Sequence, residues 1–165
     1  MQRKKTMLPD PLHPAVVHLP IALAVLMPLI AIACLIAIAK DLVPARAWWA
    51  VALLQILLAG SAWLAVETGE ADEERVEKVV EEHYIHEHHD AAEWFLALAG
   101  AGAVLMGAGL LPDRRGRVGR MVGALASLVV LATAVRTGHL GGELVYRHGA
   151  ASAYTGSALA PERAP

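Results

Sequence analysis

The 165-residue chain has little cysteine, little phenylalanine and little charge. Cys34 is the single cysteine, and only 18% of the residues are charged. One cysteine excludes a disulfide framework within the chain and any metal or redox motif built on a cysteine pair. The net charge of −2 gives no indication of a nucleic-acid partner. The sequence also has neither a phosphate-binding loop nor a nucleophile elbow, so common nucleotide-binding and hydrolase classes are disfavoured.

Acidic and basic residues are missing altogether from four long stretches. These stretches are residues 14–39, 47–66, 94–111 and 121–135. A helix needs about 20 apolar residues to cross a bilayer, so the first two stretches suffice and the others need flanking residues. The stretches are apolar all round rather than striped, which disfavours a soluble bundle. The sequence therefore predicts an all-α fold, a four-transmembrane-helix bundle embedded in lipid.

The four stretches also define the domain organisation. A cleaved signal peptide is disfavoured for the first stretch because its apolar run is too long and three more follow. We expect an amphipathic, helical segment at the membrane interface over residues 70–90 and a loose C-terminal tail over residues 149–165. The predicted membrane domain covers residues 1–148, with helices at about 14–39, 46–67, 91–111 and 118–142.

Charge in the loops predicts the orientation. Four spans place both termini on one side of the membrane. The loops on the other side are short and basic, at residues 40–46 and 112–120, whereas the loop that begins at residue 67 is long and acidic. Short basic loops remain in the cytoplasm. We therefore expect the short basic loops in the cytoplasm and both termini exported, although Arg3, Lys4 and Lys5 favour the opposite orientation.

The histidines are concentrated at this predicted exported end. The stretch "EEHYIHEHHD", residues 81–90, contains four histidines and four carboxylates. The remaining histidines begin the first span or end the fourth. The complete set is His13, His18, His83, His86, His88, His89, His139 and His148. Histidines from three separate segments are thus predicted to converge on one face, where neutral imidazoles bind metals.

Helical spacing divides the histidines of the third span by role. His86, His89 and Glu93 lie three and four residues apart and share one helix face. His88 lies on a different face and is predicted to be solvated. A solvated acidic loop that binds nothing specific is the alternative for the whole segment.

The two histidines of the first span cannot both face inward. His13 and His18 are five residues apart, which is about 140° around a helix. His13 precedes Pro14, which suits the first helical turn. His18 is about one turn inside the apolar run, where a polar side chain is costly and usually functional. We therefore expect His18 to be the buried ligand and His13 to be a second ligand, a hydrogen-bond partner or a surface residue.

Haem b is the cofactor that this pattern favours. Haem b proteins take one axial histidine from each of two helices. His18 with His89 or His86 fits that arrangement, and Arg136 would bind a propionate. We expect an electron-transfer or binding protein rather than a stand-alone enzyme. The middle of the membrane has no ionisable residue, which disfavours ion translocation.

Two alternatives remain open from the residues. The first is a single zinc, copper or iron ion, and the second is a structural or assembly subunit of a membrane redox complex, in which oligomers are possible. A dinuclear iron site is disfavoured because no Glu-x-x-His sequence occurs. The candidate ligands of the single ion are His13, His18, His86, His89, His148 and Glu93.

A short internal match suggests two similar hairpins. The sequence "AVETG" at residues 65–69 is followed 69 residues later by "AVRTG" at residues 134–138. Two parallel hairpins would be related by an axis along the membrane normal. This symmetry predicts that His18 faces residues 86–89 and that Glu67 pairs with Arg136.

The two ends of the chain resemble a family of predicted bacterial membrane proteins, domain-of-unknown-function family 2231. The resemblance rests on "HPAVVHLPIAL" and "TGHLGGELVYRHG" and covers nearly the whole chain. The resemblance implies four helices. Its motifs match His13, His18, His89 and His148. This chain departs from the family at two positions: Leu19 stands where Phe is usual, and His139 stands where the family often has an aromatic residue. Some relatives are joined to c-type cytochrome domains. The resemblance therefore implies a redox setting on the exported side.

Overall fold

The structure, a computed structural model, describes residues 11–155, and every regular element among them is helical. A single 3₁₀ turn, Ala45–Ala47, precedes the third helix. The α-helices are α1 (His13–Val16), α2 (His18–Ala39), α3 (Trp48–Val76), α4 (Glu82–Ala108), α5 (Asp113–Tyr146) and α6 (Ser152–Thr155). Four helical spans within these residues are long and apolar enough to cross a membrane. The predicted all-α, four-span bundle is confirmed.

The four long helices form a closed ring. Helix α2 packs on α3 and α5, and α4 packs on the same two helices. The short helix α1 continues α2 at its N-terminal end and packs on α3. The chain thus forms two helical hairpins, α2–α3 and α4–α5, which pack side by side. All eight histidines lie at one end of the ring. We call this the His-rich end.

The two loops at the end opposite the histidines each contain an aspartate with a positive φ and an extended proline. Asp41 has a φ of 55° and Pro44 is extended before the 3₁₀ turn. In the second loop Pro112 is extended and Asp113 has a φ of 58°. Proline disfavours continuation of the preceding helix, and a short polar side chain tolerates the left-handed region. Both hairpins are therefore antiparallel helix pairs with short connections.

The outside of the ring is apolar. Leu29 and Val104 are 64% and 74% exposed in the isolated chain, and they lie within the uncharged stretches of their helices. Similar exposure of Leu, Ile and Val recurs on all four long helices. A soluble bundle would present polar residues at such positions. The exposed belt fits hydrocarbon, because the helices satisfy their own backbone hydrogen bonds there.

The inside of the ring is built from small residues and a few hydrogen bonds. A Cβ atom added to Gly119 of α5 would lie 2.5 Å from the carbonyl carbon of Ala108 of α4. Between α3 and α4, the Trp48 indole donates to the Met106 carbonyl at 2.9 Å, and Gln55 Nε2 donates to the Ala99 carbonyl at 3.0 Å. Close backbone approach and interhelical hydrogen bonds are the main sources of helix association in lipid.

Burial supports two related hairpins. On α3 and α5, buried residues recur 69 positions apart: Gln55, Leu58, Ser61 and Ala65 against Ala124, Ser127, Val130 and Ala134. On α2 and α4 they recur 75 positions apart: Pro20, Ala24, Met27 and Ala31 against Phe95, Ala99, Gly102 and Met106. The two spacings differ by six residues because the connection between α2 and α3, at the end opposite the histidines, is longer than the connection between α4 and α5. The ring thus approximates a twofold arrangement about its own axis.

Residues 70–90 extend two helices instead of forming a separate interfacial segment. Helix α3 continues to Val76, α4 already begins at Glu82, and a short turn joins them. Pairs such as Lys78 with Glu74 and His83 with Glu87 are four residues apart and support the helices in water. The segment was predicted to be helical, but as an element separate from the apolar helices, because those helices were ended where their apolar runs end.

A small second core closes the His-rich end. Val80, Ile85, Leu144 and Ala150 are buried together, away from the membrane core. The chain turns back after α5 at Gly149, which has a φ of 74°. Ala150, which lies in the predicted loose tail, is therefore part of this core, and the short helix α6 follows it. The rest of that predicted tail, residues 156–165, and residues 1–10 lie outside the described residues.

The close contact between α4 and α5 gives a first prediction. Replacing Gly119 with Ala adds a methyl group where the Ala108 and Gly109 backbone atoms lie within 2.6 Å, so the helices must separate. We expect the Gly119→Ala variant to lose about 1–3 kcal/mol of stability, measured by unfolding in detergent. Gly100→Ala is the matched control on a helix, because nothing lies within 4 Å of its added Cβ. Equal stability of the two variants would contradict the packing.

Candidate histidine site

His13 is held against α3 at the His-rich end. It is the first residue of α1, with Pro14 next in the first turn. Its Nδ1 atom lies 2.8 Å from the Ala65 carbonyl oxygen, and the Thr68 hydroxyl lies 3.4 Å from the same nitrogen. Because a carbonyl oxygen only accepts hydrogen bonds, Nδ1 carries the proton and Nε2 keeps a lone pair.

Gly69 provides the space for this ring. A Cβ atom at Gly69 would lie 3.2 Å from Nδ1 and Cε1 of His13. Thr68 and Gly69 are the last two residues of the "AVETG" sequence. The first copy of the repeated sequence thus forms the surface on which the first histidine of the first hairpin rests.

His88 is the counterpart of His13 in the second hairpin, but it lies one helical turn beyond the repeated sequence, since a Cβ added to Gly138 would meet nothing within 4 Å. Its ring packs on Gly141 of α5, where an added Cβ would lie 3.0 Å from Cε1, and the Thr137 backbone lies beside it. Its Nδ1 atom is fully buried and has no hydrogen-bond partner. The Thr137 hydroxyl donates to the Ala91 carbonyl at 2.9 Å and so fixes α5 against α4 just below the ring. A buried, unpaired ring nitrogen is costly and indicates strain, a function or a missing partner.

The prediction that His88 is solvated is therefore wrong. It assumed that the face carrying His86 and His89 points inward. The buried residues of α4 show another face, on which Ile85, His88 and Phe95 follow one another at intervals of three and seven residues. The spacing of His88 from these apolar residues was a signal in the sequence that could have identified it.

His13 and His88 meet at the junction of the two hairpins. Their ring centroids are 6.3 Å apart, and the planes are nearly perpendicular at 85°. Each ring comes from the first helical segment of its hairpin and packs on a glycine of the last helix of the same hairpin. We call these two residues the histidine pair. The approximate twofold relation between the two hairpins therefore also relates these two histidines.

His18 does not belong to the histidine pair. It is exposed on the outer surface of α2, so the prediction of a buried His18 facing residues 86–89 is wrong. The reason is the separation of about 140° that five helical residues impose, because His13 takes the inward direction. The sequence established that only one of the two could face inward but selected the wrong one.

The other histidines of α4 lie at the rim. His89 Nε2 is 3.5 Å from a Glu93 carboxylate oxygen, and the carboxylate is largely exposed. His86 is exposed, with Nε2 3.8 Å from Glu82 and 4.0 Å from Glu73. The predicted i,i+4 relation of His89 and Glu93 is present, but it forms an exposed pair, whose contribution is small. No contact in the described structure joins His86 or His89 to His18.

The two histidines near the C-terminal end have surface and packing positions. His148 stacks on Tyr84 with ring centroids 3.7 Å apart and an angle of 22°. Tyr84 also packs against the second core. His139 is exposed and lies 3.6 Å from Glu143. His148 thus connects the end of α5 to the start of α4 by ring stacking.

Arg136 lies on the outer face of α5, away from the histidine pair. It is exposed, and so is Glu67 at the matching position of α3. Within residues 11–155 no ion pair joins them, so the predicted pairing of Glu67 with Arg136 is wrong. A twofold axis through the ring sends outward-facing residues to opposite sides, and this separates the two charges.

The donor set limits the kind of metal that the site can hold. In the described part of the chain, no group of three or more His, Cys, Asp or Glu side chains is placed to hold one metal ion. A closed structural zinc site uses four protein ligands. The histidine pair offers two imidazoles, which is the number of axial ligands that haem iron takes.

Comparison with known proteins identifies the family of the chain. No curated protein and no solved structure matches it significantly. One family model matches residues 9–153, a stretch that includes all four long helices, both members of the histidine pair and His148. The chain therefore belongs to the family described as predicted membrane protein DUF2231.

Proposed function

We propose that this membrane protein binds haem b between His13 and His88 and transfers electrons at the His-rich end. The observation that carries the proposal is the histidine pair itself, with one imidazole supplied by each hairpin. This assignment replaces the earlier candidates His18 and His89, which lie at the surface and the rim.

The pair brings one imidazole from each hairpin to one place. The ring centroids are 6.3 Å apart, and the ring planes are nearly perpendicular. His13 and His88 would be the residues that hold the haem iron, because histidine is a common ligand of haem iron. A zinc ion would need two further ligands from the chain.

The surroundings orient the two rings for this role. The Ala65 carbonyl accepts a hydrogen bond from His13 Nδ1, and this fixes the tautomer that leaves Nε2 free for a metal. The unpartnered Nδ1 of His88 is buried and shielded from water. Gly69 and Gly141 allow both rings to lie against helix backbones. When bound, haem would supply a reversible one-electron couple.

The setting that we propose for this activity is the exported face of a bacterial cytoplasmic membrane. The short basic loops at the opposite end support the orientation. A c-type cytochrome or another membrane redox subunit on that face is the proposed electron partner. The family resemblance supports a partner of this class, because some relatives carry c-type cytochrome domains.

The absorption spectrum of the purified protein tests the cofactor. We expect a Soret band in detergent and sharp α and β bands on reduction, as given by iron with two histidine ligands. His13→Ala and His88→Ala should each lose most of the bound haem or become high-spin, because each removes an axial ligand. His18→Ala and His86→Ala are matched controls at exposed positions and should keep the wild-type spectrum.

Three outcomes would contradict this proposal. Protein with one equivalent of zinc, copper or iron and no Soret band would replace haem with a single ion. Colourless, metal-free protein would exclude a bound cofactor and favour a structural or assembly subunit. If the haem spectrum were lost in His18→Ala but kept in His88→Ala, His18 would be the ligand and the histidine pair would not be the haem site.

Reporter fusions test the orientation separately. A reporter after Pro165 and one inserted after Glu77, in the turn between α3 and α4, should both be active on the exported side. One inserted after Arg115 should be active in the cytoplasm, because that position lies at the basic end. The inverse pattern would place the histidine pair in the cytoplasm and exclude an exported electron partner.

A further inference from the structure

A groove on the outer face of the bundle lies between α4 and α5, apart from the histidine pair. Its volume is about 380 Å³, which falls within the range of small-molecule sites. It is lined by Asp90, Ala91, Trp94, Leu98, Thr133 and Arg136. Helix α4 supplies the first four of these and α5 the other two.

The groove crosses the level at which the apolar spans meet their polar ends. Trp94 begins the uncharged stretch of α4, and Arg136 directly follows the uncharged stretch of α5. Trp94 is 67% exposed in the isolated chain. Tryptophan at this level is typical of the interface between hydrocarbon and lipid headgroups. The lower wall of the groove therefore faces acyl chains and its mouth faces headgroups.

The mouth carries two opposite charges that do not pair. Asp90 and Arg136 both line the groove, yet among residues 11–155 neither makes an ion pair with the other or with another side chain. The Thr133 hydroxyl donates to the Val130 carbonyl at 2.9 Å, so its oxygen remains able to accept. The mouth thus offers one cationic and one anionic group at separate positions.

We propose that this groove binds a phospholipid with an ethanolamine headgroup. The Arg136 guanidinium binds the phosphate through two parallel hydrogen bonds. The Asp90 carboxylate accepts hydrogen bonds from the primary ammonium group. One acyl chain lies along Trp94 and Leu98. This site is independent of the proposed electron transfer.

Charge complementarity selects this headgroup over two common ones. A phosphatidylglycerol headgroup has a phosphate but no cation, so Asp90 would remain unpaired near an anion. A choline headgroup has a cation that lacks N–H donors, so it cannot hydrogen-bond to Asp90. The ethanolamine headgroup has both the anion and the N–H donors that the mouth requires.

Native mass spectrometry of the full-length protein from detergent tests the proposal. The probes are phosphatidylethanolamine, phosphatidylcholine and phosphatidylglycerol with identical acyl chains, offered at equal concentration. We expect phosphatidylethanolamine to be retained preferentially. Arg136→Gln should weaken all three about tenfold, the value of one charge-assisted contact. Asp90→Asn should weaken phosphatidylethanolamine alone and remove its preference over phosphatidylcholine.

Matched variants outside the groove provide the controls. Arg114→Gln and Glu81→Gln remove exposed charges at other positions and should bind lipids as the wild type does. Equal retention of the three lipids by wild-type protein would overturn the proposal, and so would a preference for phosphatidylglycerol. An unchanged phosphatidylethanolamine preference in Asp90→Asn would overturn the assignment of Asp90. Haem content measured in the same samples separates this result from the proposed electron transfer.

Discussion

Close approach of helix backbones is the constraint on which the rest of this structure depends. Lipid gives no hydrophobic drive for one apolar helix to join another, so small residues and interior hydrogen bonds must hold the ring. The contact of Gly119 with the Ala108 backbone and the bond from Trp48 to the Met106 carbonyl both meet this need. At the other end of α4 and α5 the Thr137 hydroxyl donates to the Ala91 carbonyl, and this holds the two helices together at the His-rich end.

The histidine pair is a consequence of the extension of α4 and α5 beyond the membrane. Helix α4 begins at Glu82, well before its uncharged stretch, and α5 continues to Tyr146. These extra turns carry His88 on α4 and Gly141 on α5 to the level of His13. The same two hairpins that bury aliphatic side chains in the membrane thus bring two imidazoles together just outside it. Fold and candidate site share one approximate twofold axis.

The membrane bundle could be predicted well from the sequence, because a long helix without charged residues is stable in few environments other than lipid. It also located all histidines at one end, since chain direction alternates between antiparallel helices. It did not identify the paired histidines. His13 and His18 lie on different sides of one helical run, and the sequence of that run does not determine which side turns inward.

For α4, the choice between His88 and His89 depended on which helix face turns inward. The prediction selected the face of His86, His89 and Glu93, whereas the buried Ile85 shows that the inward face is the one beside His88. Polar residues can continue a helix when a second core supports them, and that core depends on contacts with Leu144 and Ala150 far along the chain. Such distant contacts are not visible in local periodicity.

The central claim is that His13 and His88 couple the two hairpins. A double-mutant cycle on the free energy of unfolding in detergent tests it most directly, with His13→Ala, His88→Ala and the double variant prepared in cofactor-free form. Residues that share one packed site show interaction energies of about 0.5–3 kcal/mol, so we expect the double variant to differ from the sum of the single variants by an amount in that range. Additivity within about 0.3 kcal/mol, the behaviour of independent sites, would contradict the account.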